Sequence, residues 1–146
     1  MRGLAGLVLA GLLGIGMGTS DAEETPHTPP PGSPERAAVL DAARAPVQSE
    51  LGKPVQFVVK RLAVLGPWAF VHAAMQSSGG QPVDYVGTRY EDAALRGHKS
   101  SSYAALLKRR GEVWEIVNYS IGPTDVAWQT WADQYKAPPA LFEAGP

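Results

Sequence analysis

The chain has no cysteine. That absence excludes disulfides, thiolate metal ligands, a cysteine nucleophile and lipid attachment through a cysteine. It also lacks an excess of charge of either sign, because 13 basic and 14 acidic side chains leave a net charge of −1 at pH 7. A nucleic-acid binder gathers Lys and Arg on one face. The tightest basic cluster here, Lys108-Arg109-Arg110, runs into Gly111 and reads as a solvated hairpin tip, so no nucleic-acid partner is expected. Histidine is sparse: His27, His72 and His98 stand far apart, with no H-x-x-x-H spacing and no carboxylate-rich loop beside them. No metal and no other cofactor is therefore expected. The run Ser77 to Gln81, SSGGQ, lacks the spacing and the lysine of a phosphate loop. Ser100 to Ser102 lacks the strand-to-helix G-x-S-x-G context of a nucleophile elbow.

A long hydrophobic run is missing as well. The uncharged stretch from Gly3 to Met17, preceded by Arg2, is too short and too rich in glycine to span a bilayer core of about 30 Å, which takes ~20 residues. It has the shape of an export signal, and Ser20-Asp21-Ala22 offers small residues where a signal peptidase requires them. Residues 1–22 are read as a signal peptide cleaved after Ala22, leaving no membrane span in an exported chain, periplasmic or secreted. Residues 23–33 follow as a proline-rich disordered tether, since five prolines fall between Pro26 and Pro34 without apolar periodicity. Residues 34–146 form a single small domain.

Within that domain the pattern predicts an α+β fold. Ser33 serves as N-cap, Pro34 fits the first helical position and Glu35 faces the positive end of the dipole. Val39, Ala43, Val47 and Leu51 recur every fourth residue as an apolar stripe. Pro46 lies inside this N-terminal helix and predicts a kink or a break there, and Gly52 ends it. From Val55 the period becomes two. Val55, Phe57 and Val59 share a face, a bulge near Lys60-Arg61 shifts the pattern, and Leu62 and Val64 continue it. Beyond Gly66-Pro67 a second strand alternates Trp68, Phe70 and His72 with Ala69, Val71 and Ala73. SSYAALLKR and EVWEIVNYSI supply two more strands around Arg110-Gly111, making a four-stranded antiparallel sheet. Thr124 is read as the cap of a C-terminal helix over Asp125 to Tyr135, with Trp128, Trp131 and Tyr135 on one face.

The runs KPVQFVVKRLAVLGPWAFV and GEVWEIVNYSIGPTDVAWQTW resemble those of small exported bacterial proteins of uncharacterised function. The order of helix and then antiparallel sheet is similar to the cystatin-like and NTF2-like shape. That shape hosts binding modules, inhibitors, dimerisation domains and a few isomerases and hydrolases, so the resemblance implies a fold and assigns no catalytic residue.

One feature of the sequence asks for a function. The link between strands 2 and 3 runs from Ser77 to about Lys99, whereas hairpin links take roughly two to five residues. It carries Asp84, Tyr85, Arg89, Tyr90 and His98, with Glu91, Asp92 and Arg96 among them. Loops held by a rigid sheet carry binding residues, and Arg with Tyr suits carboxylate and polar aromatic ligands. A short structural helix, RYEDAALR, accounts for the same residues. The expectation is a non-enzymatic module that binds a protein or small-molecule ligand through this connection and an adjoining open sheet face. The alternative is a small hydrolase or isomerase with His72 or His98 as base, oriented by Asp84, Glu91 or Asp92. His72 itself reads as a packing residue, since burial keeps an imidazole neutral. N-terminal sequencing of the protein recovered from its envelope is expected to begin at Glu23 or close to it, and a membrane-embedded product starting at Met1 would contradict the export reading.

Overall fold

A computed structural model describes residues 25–143 of the chain. The expected signal peptide, its expected cleavage site and the first residues of the expected tether lie outside the described residues. The order of elements is α1 (Pro34–Leu51), β1 (Gln56–Leu65), β2 (Trp68–Gln76), α2 (Glu91–Leu95), β3 (Ser102–Arg110), β4 (Val113–Ile121), α3 (Trp131–Tyr135) and a closing 3-10 turn, Pro139–Phe142. The strands form one antiparallel sheet in the order β1-β2-β3-β4.

Ser33 caps α1 by accepting a hydrogen bond from the Arg36 N–H at 3.2 Å, and left-handed Gly52 closes it by donating to the Gln48 carbonyl. The helix is one element through Pro46, not two. An interior proline costs about 3 kcal/mol. Burying Val39, Ala43, Val47 and Leu51 under the helix contributes ~1.5–3 kcal/mol for each large side chain, so the stripe outweighs the lost hydrogen bond.

Both hairpins turn on two residues with a left-handed glycine first, Gly66-Pro67 and Gly111-Glu112, the pattern of a type II′ turn. Register shifts fall between Val59 and Arg61 in β1 and opposite Leu106 and Leu107 in β4. The first is the bulge that the alternation of β1 predicts. Both lie in the two outer strands, where a bulge twists an edge away from pairing with another chain.

The inner strands bury both faces. Ala69, Val71, Ala73 and Met75 of β2, with Tyr103, Ala105 and Leu107 of β3, pack in the cluster that contains the α1 stripe. Trp68 and Phe70, with Ala104 and Leu106, pack under the C-terminal segment with Trp131, Ala137 and Leu141. Both faces of the inner pair are covered, while positions of the outer strands, such as Val58 and residues 116–120, remain exposed or half-buried.

Two segments differ from their sequence pattern. The C-terminal helix starts at Trp131, with Thr130 and not Thr124 at its N-cap position. Asp125 instead takes the Val126 N–H at 2.7 Å, a local bond that competes with helix formation. The aromatic rings then settle around Phe70, with ring centres 5.6 Å away for Trp128, 6.5 Å for Trp131 and 4.9 Å for Phe142. The proline-rich segment is extended, and from His27 onward it makes contacts with the domain. His27 exchanges both backbone hydrogen bonds with Val64, at 2.9 and 2.8 Å, Pro29 is buried, and Arg36 donates to the Pro29 carbonyl at 3.0 Å.

Trp131 is 3% exposed. Trp131→Ala is expected to lower the free energy of unfolding by about 3–5 kcal/mol, out of about 5–15 for a domain. Denaturant titration measures it, and an unchanged midpoint would mean that the C-terminal segment is not part of the core.

Candidate functional site

The connection between β2 and β3 is anchored at both ends by backbone geometry. Val83 N–H reaches the Met75 carbonyl at 3.1 Å, Gln76 bridges Pro82, and the chain returns after α2 with His98 N–H on the Ala93 carbonyl at 2.8 Å. The helix α2, Glu91–Leu95, is the core of the short helix that the sequence suggests. Val83 and Tyr85 enter the α1-side cluster and hold the connection against it.

Tyr85 is buried, and its phenol donates to the Ser100 carbonyl. Burial, with the neighbouring Tyr90, pushes the phenol up to about 12. Gly122 is required beside it. The backbone there is left-handed, φ 65°, and an added Cβ would collide with the Tyr85 phenol oxygen and lie 2.8 Å from the Ser100 carbonyl oxygen.

Arg89 and Tyr90 converge on Glu50, near the end of α1. The Arg89 guanidinium bonds Glu50 Oε1 and donates to the Tyr90 hydroxyl at 2.8 Å, and that hydroxyl donates to the same Glu50 oxygen at 3.2 Å. The Tyr90 hydroxyl and then the Glu50 carboxylate hold the guanidinium above its usual range. Glu50 is 17% exposed, and its Oε2 is buried without a hydrogen-bond partner among the described residues. A carboxylate at the negative end of a helix dipole is unfavourable, so Arg89 compensates both the dipole and the burial. Burial and the adjacent Glu50 carboxylate also raise the Tyr119 phenol on β4. Arg89 therefore bonds this chain's own α1 through one guanidinium nitrogen, with its side chain 67% exposed.

Asp84 sits at the outer surface. Its carboxylate accepts from Lys53 Nζ at 3.2 Å and from the Val86 N–H at 3.1 Å, and these bonds hold it below the usual carboxylate range. Glu50 and Lys53 were not among the residues that the sequence singled out. They lie more than thirty positions from their partners, and nothing in the spacing links them.

Between the 84–86 turn and α2 lies a depression of about 240 Å³, lined by Asp84, Tyr85, Val86, Glu91, Ala94 and Leu95. Val86, 68% exposed, and Leu95, 80% exposed, are the two most exposed large hydrophobic residues among those described. The structure thus brings Asp84 and Tyr85 together at a concave surface. Arg89 and Tyr90 bond Glu50 of α1, and Arg89 and His98 are exposed.

His72 shares the face of Trp68 and Phe70, as the alternation predicts, and its ring centre lies 4.6 Å from that of Trp128. The hydrogen bond between imidazole and carboxylate among the described residues is His27 to Glu35, 3.1 Å, on the surface. Neither His72 nor His98 pairs with Asp84, Glu91 or Asp92. No group of three His, Asp or Glu side chains suited to a metal gathers among the described residues, and no helix among them is long and apolar enough to cross a membrane.

Burial, with Lys60 secondary, lowers the His72 pKa. Above the unfolded value of about 6.5 both states carry a neutral ring. Below it the unfolded chain takes the proton first, so stability falls with pH. His72→Gln is expected to lose less melting temperature than the natural chain between about pH 7.5 and 5.5. Equal losses would show that His72 contributes nothing to the pH dependence.

In comparison with known proteins, no family model matches the chain, and neither does any curated protein or solved structure.

Proposed function

We propose that the chain is an exported, non-enzymatic binding module of cystatin-like or NTF2-like shape, periplasmic or secreted, which engages its ligand through the connection between β2 and β3. The single observation that carries this reading is the placement of Val86 and Leu95. The two large hydrophobic side chains most exposed to water line one depression, and that depression lies on the long connection. Contiguous exposed apolar surface with a polar rim marks interaction sites. The export reading rests on the N-terminal apolar run and the small residues after it. The shape rests on a helix laid across an antiparallel sheet in sequential strand order.

The anchoring residues serve the same reading. Tyr85, Val83 and the Arg89–Glu50–Tyr90 contacts tie the connection to α1 and β4, so the depression is held in shape before a ligand arrives, and a preformed site loses less ordering entropy on binding. The hydrolase or isomerase reading has no comparable observation, because its candidate bases and carboxylates are not paired.

The experiment compares what the natural chain and the Val86→Ser/Leu95→Ser double variant retain from the envelope extract of the source cells. Both side chains are exposed, so the variant is expected to melt within about 0.5 kcal/mol of the natural chain and to lose a partner that the natural chain holds. Identical retained sets from two equally folded proteins would refute binding at this surface.

A further inference from the structure

The depression has a chemistry that narrows the ligand. Its volume, about 240 Å³, falls below the roughly 300–1,000 Å³ of sites that enclose a small molecule. It suits one side chain of a larger ligand. Val86, Ala94 and Leu95 supply apolar surface, and Tyr85 adds a ring immobilised by its bond to Ser100.

The polar residues lining it are of one sign. Asp84 and Glu91 line the depression and no basic residue does. The Glu91 carboxylate accepts the neutral Gly87 N–H at 3.1 Å, and no salt bridge to it occurs among the described residues. Lys53 offsets Asp84 without lining the depression. Arg89, the nearest cation in sequence to the turn, is committed to Glu50. The Glu91 carboxylate, without an ion pair among the described residues and beside exposed aliphatic surface, favours a cationic partner and repels an anionic lipid surface.

We infer that this depression seats a large aliphatic side chain of a peptide segment in which lysine or arginine flanks that side chain. The inference rests on the binding reading above and names the ligand class of the same site. The aliphatic side chain removes Val86 and Leu95 from water, and a flanking cation approaches Glu91, with Asp84 and its Lys53 partner beside it.

The two carboxylates can be neutralised without loss of local structure. Each accepts a backbone N–H, Val86 on Asp84 and Gly87 on Glu91, and an amide oxygen can accept the same bond. Asp84→Asn/Glu91→Gln therefore removes charge and keeps the turn. Titration calorimetry on the full chain would use three short capped peptides, one with leucine between two lysines, one with leucine between two glutamates and one with alanine between two lysines. The first is expected to bind at least about tenfold tighter than the others, and more weakly as salt rises. Leu95→Ser is expected to abolish that advantage, and Asp84→Asn/Glu91→Gln to erase the preference for lysine over glutamate, with both variants melting as the natural chain does.

Equal binding of the glutamate peptide, no binding of any peptide, variants that bind unchanged, or binding to anionic phosphatidylglycerol vesicles in place of peptide would each overturn the inference. Failure of the peptides while Val86→Ser/Leu95→Ser still loses a partner from the envelope extract would refute the ligand class and leave the binding reading standing. Failure of both experiments would refute both.

Discussion

The inner strands β2 and β3 are apolar on both faces, and the rest of the molecule answers that constraint. A strand pair that carries Val71, Met75, Tyr103 and Leu107 on one side and Phe70, Leu106 and Ala104 on the other cannot leave either side in water. The α1 stripe covers the first. The second falls to the segment after β4, which contributes Trp131 and Leu141 and is tied at its end by Arg61 donating to the Leu141 carbonyl at 3.1 Å. Without cysteine, no disulfide can hold these covers in place, so burial and aromatic contact around Phe70 hold them.

Covering both faces of the inner pair leaves the outer strands, the edges and the connections as the more exposed parts of the sheet. The outer strands are bulged, and the proline-rich segment occupies one end of the β1 edge through His27 and Val64. The connection between β2 and β3 is what remains exposed with a shape of its own. Its inner side is closed by contact with α1. Glu50 lies at the negative end of that helix and is largely buried, which is unfavourable for a carboxylate. The guanidinium of Arg89 offsets part of that cost, which explains why the residue most suited to gripping an external carboxylate grips an internal one. Its outer side, Asp84 to Val86 with α2, carries Glu91, which forms no ion pair among the described residues, and exposed Leu95.

Much of the fold was legible in residue spacing, because period and capping are local. Ser33, Pro34 and Gly52 bound α1 where the capping rules place them, the alternation of β2 sets His72 beside Trp68 and Phe70, and the change of phase near Lys60 marks the bulge. Spacing failed where a local preference met a tertiary one. Of the kink or break expected at Pro46, the break does not occur, because the buried stripe on both sides of it outweighs one lost hydrogen bond. Thr124 does not start the last helix, because Asp125 binds its neighbour's N–H and the tryptophans pack on Phe70.

For the site, the sequence by itself determined that the connection is long, charged and aromatic, since these are properties of composition and length. Only the tertiary structure decided which of its residues find partners within the chain. Arg89 and Tyr90 are spent on Glu50 and Tyr85 on Ser100, while Val86 and Leu95 face water beside Glu91. The physical reason is that each of those choices depends on a partner distant in sequence, and a hydrogen bond or a buried contact has no signature in the spacing of residues that meet only when the chain folds.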